Sequence, residues 1–205
     1  MPFNSSLMRP EECALVLADL QAGLAFGVGS EDRQVLLNNA VALTRTARVF
    51  GIPIVASTSA SKVYSGPMMP AVQAAVSEVV PIERRSMNFW EDDHVRGAIM
   101  AAGRQRLLIS GLLTEACITF GALSAFEVFV VADACGGTSP TSHDLAVRRL
   151  EAAGATMTSW IQVLLEFPRD WTRKQTYDGA RAVVESNGGG YGIGLGYSRD
   201  MIHPP

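Results

Sequence analysis

The hydrophobic positions of this chain fall into short continuous runs that alternate with longer amphipathic segments. A continuous apolar run is typical of a strand covered on both faces, and an apolar stripe with the helical period is typical of a helix. Strands are predicted at 13–18, 54–58, 79–82, 107–110, 129–132 and 156–158, and helices at 30–50, 70–78, 91–103, from 114, at 141–154 and at 159–167. This alternation predicts a three-layer α/β/α fold with a mainly parallel, Rossmann-like sheet.

The C-terminal part of the chain, residues 168–205, follows a different pattern. A helix-like stretch at 174–187 precedes a segment at 188–197 in which glycine dominates. A segment this rich in glycine is not expected to form a core element. It is therefore either a disordered tail or an arm that orders on a neighbouring subunit. Two tyrosines and an isoleucine favour the arm, because disordered tails are poor in such residues. We therefore predict a domain over residues 1–171 and a helix and arm over 172–205 that make oligomer contacts.

Composition and charge exclude several classes of function. The formal net charge is −3, and the 17 Lys and Arg residues are spread along the chain. No basic surface for nucleic acid or for a membrane is therefore predicted. Apolar runs are too short to span a bilayer, and no signal peptide is evident at Met1–Asn4. Three cysteines at unrelated spacings predict neither a disulfide framework nor a zinc site. We expect a cytoplasmic protein with reduced thiols, no metal and no cofactor.

One cysteine lies where a predicted strand gives way to a helix. The strand is Leu107–Ser110, Gly111 marks the turn, and Thr114 is a good helix cap because its hydroxyl can accept a free backbone N–H. Cys117 then lies in the first helical turn, where unpaired N–H groups and the helix dipole favour a thiolate. Two interpretations stay open: a nucleophilic cysteine, or a small core residue of the kind that free cysteine often is.

Polar side chains from three predicted strands meet at the carboxyl edge of the sheet, where folds of this type bind ligands. Asp19 and Gln21 follow the first strand. Arg84 follows the third strand and Cys117 the fourth. In a nucleophilic site, Asp19 takes the thiol proton and Arg84 supplies positive charge. The alternatives are a turn-forming aspartate and a solvated arginine pair, because Arg85 competes for the same role.

The other cysteines and the histidines are expected to be structural. Cys13 lies inside the first strand, which predicts a core position, and Cys135 ends a strand in a Gly-Gly context that predicts a packed turn. The histidines are scattered, and each is more typical of a surface or helix position than of a metal ligand: His94, His143 and His203. The sequence contains no Gly-x-Ser-x-Gly elbow and no P-loop.

Three motifs together resemble the isochorismatase-like cysteine hydrolases, and most closely their YcaC-like branch of uncertain substrate. The motifs are Leu-Ala-Asp19-Leu-Gln21, then Arg84 upstream of Asn88-Phe-Trp90, then Gly111-Leu-Leu-Thr114-Glu-Ala-Cys117-Ile. Arg169-Asp170-Trp171 and the glycine-rich tail fit the same branch. The resemblance therefore covers nearly the whole chain.

The resemblance implies a set of site residues. The catalytic triad falls on Asp19, Arg84 and Cys117. A non-proline cis peptide is implied at Leu113–Thr114, where it turns backbone N–H groups toward the substrate carbonyl. The positions of three further residues in these motifs predict that they contact the substrate: Gln21, Asn88 and Trp90.

Partners and metal content are also implied by the resemblance. Nicotinamidases of this family bind a metal through an aspartate and two closely spaced histidines, and the corresponding loop here, Thr58–Ser65, contains no histidine. The resemblance therefore implies a metal-free enzyme for a small-molecule substrate. Members of the YcaC-like branch are ring-built homo-oligomers, often octamers, which implies the same for this chain.

Two features depart from the family pattern. Many members have lysine where this chain has Arg84, and arginine cannot release its proton, so here the cation only orients and stabilises charge. In addition, Leu123–Ala125 runs into Phe126–Phe129 without a turn, although a helix-to-strand connection normally needs a few residues. Either the helix ends early or the sequence lacks a segment at this point.

The function that follows from these residues is hydrolysis of a small-molecule amide-type C–N bond by a Cys117 thiolate, through an acyl-enzyme. One alternative is an assembly that senses oxidants or thiols through Cys117 without turnover. Another is ether hydrolysis of the isochorismatase type, which does not depend on the cysteine.

Overall fold

The computed structural model describes residues 7–170 and 172–202. Six strands lie in this part of the chain: β1 (Cys13–Ala18), β2 (Ile54–Ser59), β3 (Ile82–Arg84), β4 (Arg106–Leu112), β5 (Val128–Gly136) and β6 (Thr156–Thr158). The α-helices are α1 (Ala22–Ala25), α2 (Arg33–Val49), α3 (Pro70–Ala75), α4 (Asp93–Ala101), α5 (Thr119–Ser124), α6 (Pro140–Ala152), α7 (Trp160–Glu166), α8 (Lys174–Asn187) and α9 (Gly189–Ile202). Trp171 of the Arg169-Asp170-Trp171 motif and His203 lie outside the described residues.

All six strands are parallel and lie in the order β3-β2-β1-β4-β5-β6. The chain moves from β1 outward to β3 and then returns to the other side of β1, so that the strand order reverses between β1 and β4. The predicted three-layer α/β/α fold with a parallel, Rossmann-like sheet is confirmed. In open sheets of this type, ligands bind beyond the carboxyl ends of the strands at the point of reversal.

Helices cover both faces of the sheet. α2, α7 and α8 belong to the hydrophobic cluster on one face, and α4, α5 and α6 belong to the cluster on the other. Every residue of β1 is buried. Its side chains alternate between the two clusters, with Leu15 and Leu17 on one side and Ala14 and Val16 on the other. This two-sided burial explains the continuous apolar run in the sequence. Among the described helices, none is long and apolar enough to cross a membrane.

The boundaries of several elements differ from those predicted. β3 lies at Ile82–Arg84 rather than at 79–82, and Arg84 is its last residue. β5 continues to Gly136, four residues beyond the predicted end at Ala132. α5 ends at Ser124, so the helix stops early and leaves residues 125–127 for the connection to β5. The first of the two explanations for the short connection is therefore the one that the structure supports.

The C-terminal segment is more regular than predicted. Ala180, Val183 and Val184 of α8 are buried in the cluster that contains α2. The glycine-rich stretch, for which no regular element is predicted, forms α9 and packs against α8. Glycine permits this close approach, because a Cβ at Gly192 would lie 2.2 Å from the Val184 carbonyl oxygen. Of the two alternatives left open, the structure favours an ordered segment over a disordered tail, and contact with a neighbouring subunit stays a prediction.

Candidate active site

Asp19 lies directly beyond the end of β1, beside the point where the strand order reverses. Its backbone N–H donates to the Ser57 carbonyl of β2 at 2.9 Å, and its own carbonyl accepts from Gln21 N–H at 2.7 Å. The residue has φ of 57°, a left-handed conformation that aspartate tolerates better than most residues. These contacts turn the chain out of the strand and leave the Asp19 side chain fully buried.

Arg84 reaches Asp19 from the end of β3, across the intervening strand β2. Its Nη2 donates to Asp19 Oδ2, its Nη1 donates to the Ser86 carbonyl, and its Nε lies 3.5 Å from Ser57 Oγ. Both side chains of the ion pair are completely shielded from solvent. Arg85, the competing arginine, is exposed. The guanidinium is therefore used on several sides to hold the aspartate in place.

Cys117 approaches the same carboxylate from β4. The close passage of β4 beside β1 depends on Gly111, which has φ of 155° and where a Cβ would lie 1.8 Å from the Ala18 carbonyl oxygen. After β4 the chain forms a helical turn, Thr114–Ile118, in which Cys117 is half-buried. The thiol interacts with both Asp19 and Arg84 through charge and hydrogen bonding. Three residues that are distant in sequence thus meet at one edge of the sheet.

The Cys117 thiol holds its proton more tightly than an ordinary thiol. Burial, the negative charge of Asp19 and a hydrogen bond to Asp19 together raise its pKa to about 11, against the opposing effect of Arg84. Burial also raises the pKa of Asp19, against the opposing charge of Arg84. The expectation that the helix start favours a thiolate was wrong, because desolvation and the carboxylate outweigh any effect of the short turn.

The cis peptide bond occurs one residue earlier than expected. It joins Leu112 to Leu113, and the predicted position at Leu113–Thr114 was wrong. β4 continues through Leu112, so the bond that leaves the strand is the one before Leu113. The Leu113 carbonyl then accepts hydrogen bonds from Ala116 N–H at 3.1 Å and Ile118 N–H at 3.2 Å. Leu113 and Thr114 therefore both belong to the turn that presents Cys117.

Gln21 supports the loop after β2. The side chain is fully buried. Its Nε2 donates to the carbonyls of Ser59 and Gly66, and its Oε1 accepts from Ser59 N–H at 2.9 Å. Because the amide is already occupied on both sides, the structure favours a supporting role for Gln21 over the predicted contact with substrate.

Asn88 and Trp90 lie in the segment that follows β3. Asn88 Oδ1 accepts from Trp90 N–H at 3.0 Å, and its Nδ2 donates to Ser124 Oγ of α5 at 2.9 Å. Trp90 is half-buried and packs edge-on against Phe126 at 5.5 Å between ring centres. Asn88 thus joins the segment after β3 to the helix that follows Cys117. A direct contact of either residue with substrate stays a prediction.

The sequence analysis did not predict roles for His143 and Glu115, whose side chains attach the Cys117 turn to the start of α6. Thr114 Oγ1 lies 2.9 Å from His143 Nδ1. Glu115 Oε1 accepts from Thr138 N–H at 2.9 Å and from the Thr138 hydroxyl. His143 was expected to be an ordinary surface or helix residue. The signal available in the sequence was its position shortly after Gly136-Gly137, at the same edge of the sheet.

Among the described residues, no group of three His, Cys, Asp or Glu side chains lies close enough together to hold a metal ion. Beside the loop after β2 lies Glu83 of β3, whose carboxylate accepts from Thr58 Oγ1 at 2.8 Å and from Ser61 N–H at 2.9 Å. These bonds stabilise the loop that Gln21 also supports.

Comparison with known proteins places this arrangement in a class. Residues 13–162 match the family model of the isochorismatase domain. The probable hydrolase YcaC of Escherichia coli is 36% identical over 165 residues, which cover 78% of this chain and 79% of that protein. The chain therefore belongs to the isochorismatase family of hydrolases, and the resemblance seen in the motifs is confirmed.

Two solved structures show the likeness over almost the whole chain. YcaC of E. coli, described as an octameric hydrolase of unknown specificity, superposes with a TM-score of 0.90 at 31% identity, covering 96% of this chain and 98% of that one. YcaC of Pseudomonas aeruginosa, solved with hexane-2,5-diol and covalent acrylamide, superposes with a TM-score of 0.89 at 31% identity, covering 95% and 98%. Within the family, the chain is thus similar to the YcaC hydrolases.

Proposed function

We propose that this protein is a metal-independent cysteine hydrolase that cleaves an amide-type C–N bond in a small molecule. The observation that carries the proposal is the meeting of Asp19, Arg84 and Cys117 where the strand order reverses, with the ion pair fully shielded and the pKa of the thiol perturbed by both partners. A nucleophile beside a general base that a third group orients is the arrangement used in covalent catalysis.

In the proposed mechanism, Asp19 accepts the thiol proton as Cys117 Sγ attacks the carbonyl carbon. The backbone N–H groups of Thr114, Glu115 and Cys117 stabilise the oxyanion, since those of Ala116 and Ile118 already donate to the Leu113 carbonyl. The C–N bond then breaks, and the amine leaves with the proton that Asp19 returns. Asp19 next takes a proton from water, the resulting hydroxide attacks the thioester, and the acid leaves as Cys117 recovers its proton.

The perturbed pKa values support transfer of the proton during attack rather than before it. A thiol whose pKa is about 11 is protonated at neutral pH, so the base has to act as the S–C bond forms. Burial raises the pKa of Asp19, which makes it a stronger base than an exposed carboxylate. Arg84 orients Asp19 and stabilises its charge, and it takes no part in proton transfer because a guanidinium group does not lose its proton in proteins.

A depression of about 430 Å³ beside the site is consistent with a small-molecule substrate. Its lining includes Ser86, whose carbonyl binds Arg84, and Phe120, which lies one helical turn beyond Cys117. Met87 and Leu123 give it an apolar wall. We propose that this depression holds the part of the substrate that leaves or is transferred.

The donor set at the site supports metal independence. Residues 58–65 carry serine, threonine and lysine in place of closely spaced histidines, and the nearby carboxylate of Glu83 is already bound by Thr58 and Ser61. We propose that activation of the carbonyl depends on backbone N–H groups. Treatment with a chelator is expected to leave activity unchanged.

The raised pKa of Cys117 argues against the oxidant-sensing alternative, because sensor cysteines have lowered pKa values and react as thiolates. The ether-hydrolysis alternative requires no cysteine, so it predicts that Cys117→Ala keeps its activity. Both alternatives therefore lead to outcomes that differ from those of the proposal.

An ammonia-release screen across small primary amides tests the proposed function. Wild type is expected to release ammonia from at least one amide, and Cys117→Ala is expected to lose at least about 10³-fold of that rate. Cys13→Ala is the matched control, because Cys13 is fully buried at the opposite end of β1. Full activity in Cys117→Ala contradicts the mechanism. Reversible oxidation of Cys117 without release of ammonia from any amide favours the sensing alternative.

Acrylamide provides a second probe of the nucleophile. YcaC of P. aeruginosa was solved with covalent acrylamide, and a thiolate forms such an adduct by adding to the β carbon of the alkene, whose α carbon takes the proton. We expect acrylamide to label Cys117 and to spare Cys13 and Cys135, both of which are fully buried. Peptide mass spectrometry identifies the labelled residue, and equal labelling of all three cysteines contradicts the assignment.

We also propose that the protein is a homo-oligomer in which α9 contacts a second copy of the chain. Ile193, Tyr197 and Met201 recur at the spacing of one helical turn along α9, and each is more than half exposed. Such a stripe is typical of an interface, and YcaC of E. coli is described as octameric.

Light scattering is expected to give an oligomer for wild type and a smaller species for Ile193→Glu/Tyr197→Glu. Val80→Glu, in the loop before β3, is the control, and an unchanged mass for the α9 variant contradicts the proposal.

A further inference from the structure

The turn that presents Cys117 is attached at two points to the start of α6. Thr114 Oγ1 lies 2.9 Å from Nδ1 of His143, and Glu115 Oε1 accepts from Thr138 N–H at 2.9 Å. Thr114 is completely buried, whereas His143 is half-buried. The imidazole therefore fixes the direction of a buried hydroxyl three residues before the thiol.

Thr114 is also held through its main chain. Its carbonyl accepts from the Thr119 hydroxyl at 2.6 Å. Because a carbonyl and the following N–H share one peptide plane, this bond also fixes the direction of the Glu115 N–H. The Thr119 bond acts on the peptide plane after Thr114, and the His143 bond acts on the Thr114 side chain. Together they limit the rotation of the backbone that supplies N–H groups to the proposed oxyanion site.

A glycine makes room for these contacts. A Cβ at Gly137 would lie 2.8 Å from Glu115 Oε2 and 3.1 Å from His143 Cβ. A larger residue would displace the Glu115 carboxylate and crowd the first turn of α6 at His143. The second glycine of the Gly136-Gly137 pair thus allows Glu115 and His143 to lie close together.

We propose that His143 is a positioning residue of this enzyme: it holds the Thr114 hydroxyl and so keeps the N–H groups of Thr114, Glu115 and Cys117 directed at the developing oxyanion. The inference rests on the proposed function. His143 is not among the groups that shift the pKa of Cys117, which are Asp19 and Arg84. The inference therefore requires His143 to affect the oxyanion and to leave the ionisation of the thiol unchanged.

Two reactions of Cys117 separate these effects. Acylation by p-nitrophenyl acetate forms an S–C bond at the carbonyl, passes through an oxyanion and releases p-nitrophenolate. Alkylation by iodoacetamide forms an S–C bond at a methylene carbon, expels iodide and develops no oxyanion. For His143→Leu, we expect the acylation rate to fall about 10- to 100-fold while the alkylation rate changes less than about twofold, since loss of a whole oxyanion donor costs 10²- to 10³-fold.

The conservative variant provides a rescue. His143→Asn places an amide near the position of Nδ1, where it can bond with the Thr114 hydroxyl, and it is expected to keep acylation within about threefold of wild type. Asp144→Asn, at an exposed position on the same helix, is the control and is expected to match wild type. Equal losses of acylation and alkylation in His143→Leu, or equal rates in His143→Leu and wild type, overturn the proposal.

Thr114→Val tests the same contact from the other side. It keeps the shape of the side chain and removes the hydroxyl, so it is expected to reproduce the effect of His143→Leu, and the double variant is expected to be no slower than either single one. If the acylation rate of the double variant falls by the product of the two single losses, the proposal is overturned. If His143→Leu does not fold, which alkylation of buried Cys13 and Cys135 would reveal, the comparison of Thr114→Val with Thr114→Ser decides the question.

The control Cys117→Ala separates failure of this inference from failure of the proposed function. Loss of p-nitrophenolate release in Cys117→Ala shows that the cysteine is the nucleophile, whatever His143 does. Release that persists in Cys117→Ala contradicts the proposed function itself, and with it this inference.

Discussion

Arg84 and Asp19 form an ion pair in which both side chains are completely shielded from solvent, although β3 and β1 are not neighbours in the sheet. The arginine crosses β2, where its Nε lies 3.5 Å from Ser57 Oγ, and its Nη1 donates to the carbonyl of Ser86 beyond the end of β3. Burial of two charges costs free energy that the pair and its surrounding hydrogen bonds must offset. Removal of one member therefore leaves a buried, uncompensated charge.

Arg84→Met is accordingly expected to lower the free energy of unfolding by about 3–5 kcal/mol at neutral pH. The loss should shrink as the pH falls, because the pKa of Asp19 rises further without Arg84 and protonation removes the uncompensated charge. Urea unfolding at several pH values measures both effects. Arg96→Met, whose partner Asp93 is largely exposed, is the control and should cost about 0–1 kcal/mol. Similar losses in the two variants contradict the expectation.

Asp19→Asn is expected to separate thiol ionisation from turnover. The carboxylate raises the pKa of Cys117 and Arg84 lowers it, so replacement of the carboxylate by a neutral amide should lower that pKa from its value of about 11. Cys117 should then react faster with iodoacetamide at pH values just below that pKa, while hydrolysis of any amide substrate should be lost with the general base.

The pH dependence of the alkylation rate, followed by mass spectrometry, gives the pKa directly. Asp144→Asn is a control with the same chemical change at an exposed position, and its profile should match that of wild type. A profile for Asp19→Asn displaced toward higher pH is incompatible with the proposed electrostatics.

The meeting of Asp19, Arg84 and Cys117 could be predicted from the sequence because it depends on topology. Each residue follows a predicted strand, and parallel strands deliver their carboxyl ends to one edge. The pKa of Cys117 could not be predicted in the same way. A helix start was visible in the sequence, but the burial of the thiol and its neighbouring carboxylate depend on packing between distant segments.

The α9 helix and the Thr114–His143 contact escaped prediction for a related reason. Glycine has low helix propensity, and α9 is stabilised by close packing on α8, which Gly192 permits. His143 is one of three scattered histidines in the sequence. Only the approach of α6 to the Cys117 turn, permitted by Gly137, gives it a partner near the site.

Gly121→Ala is expected to destabilise the helix that follows Cys117. A Cβ at Gly121 would lie 2.0 Å from Cε1 of the buried Phe89 ring, and such overpacking costs about 1–3 kcal/mol. Gly97→Ala is the matched control. No atom lies within 4 Å of its new Cβ, and in a helix the change should stabilise by about 0.5–1 kcal/mol. Urea unfolding measures both, and stabilisation by Gly121→Ala contradicts the packing described for Phe89.

Cys135→Ala is expected to make the protein less sensitive to alkali. Burial raises the pKa of Cys135 from 9.0 to about 12, so between these values the folded state holds a proton that the unfolded state has lost. The free energy of unfolding therefore falls as the pH rises, by about 1.4 kcal/mol per pH unit for each such thiol. Below pH 9 this contribution is fully present, and above the folded-state pKa it is gone.

Urea unfolding between pH 8 and pH 11 tests the contribution of Cys135. Wild type is expected to lose stability more steeply than Cys135→Ala above pH 9, since the alanine variant lacks one of the titrating thiols. The variant should also start lower at pH 8, because truncation of a buried side chain leaves a small cavity. The two curves should therefore converge as the pH rises, and parallel curves would mean that the Cys135 thiol ionises as readily in the folded protein as in the unfolded chain.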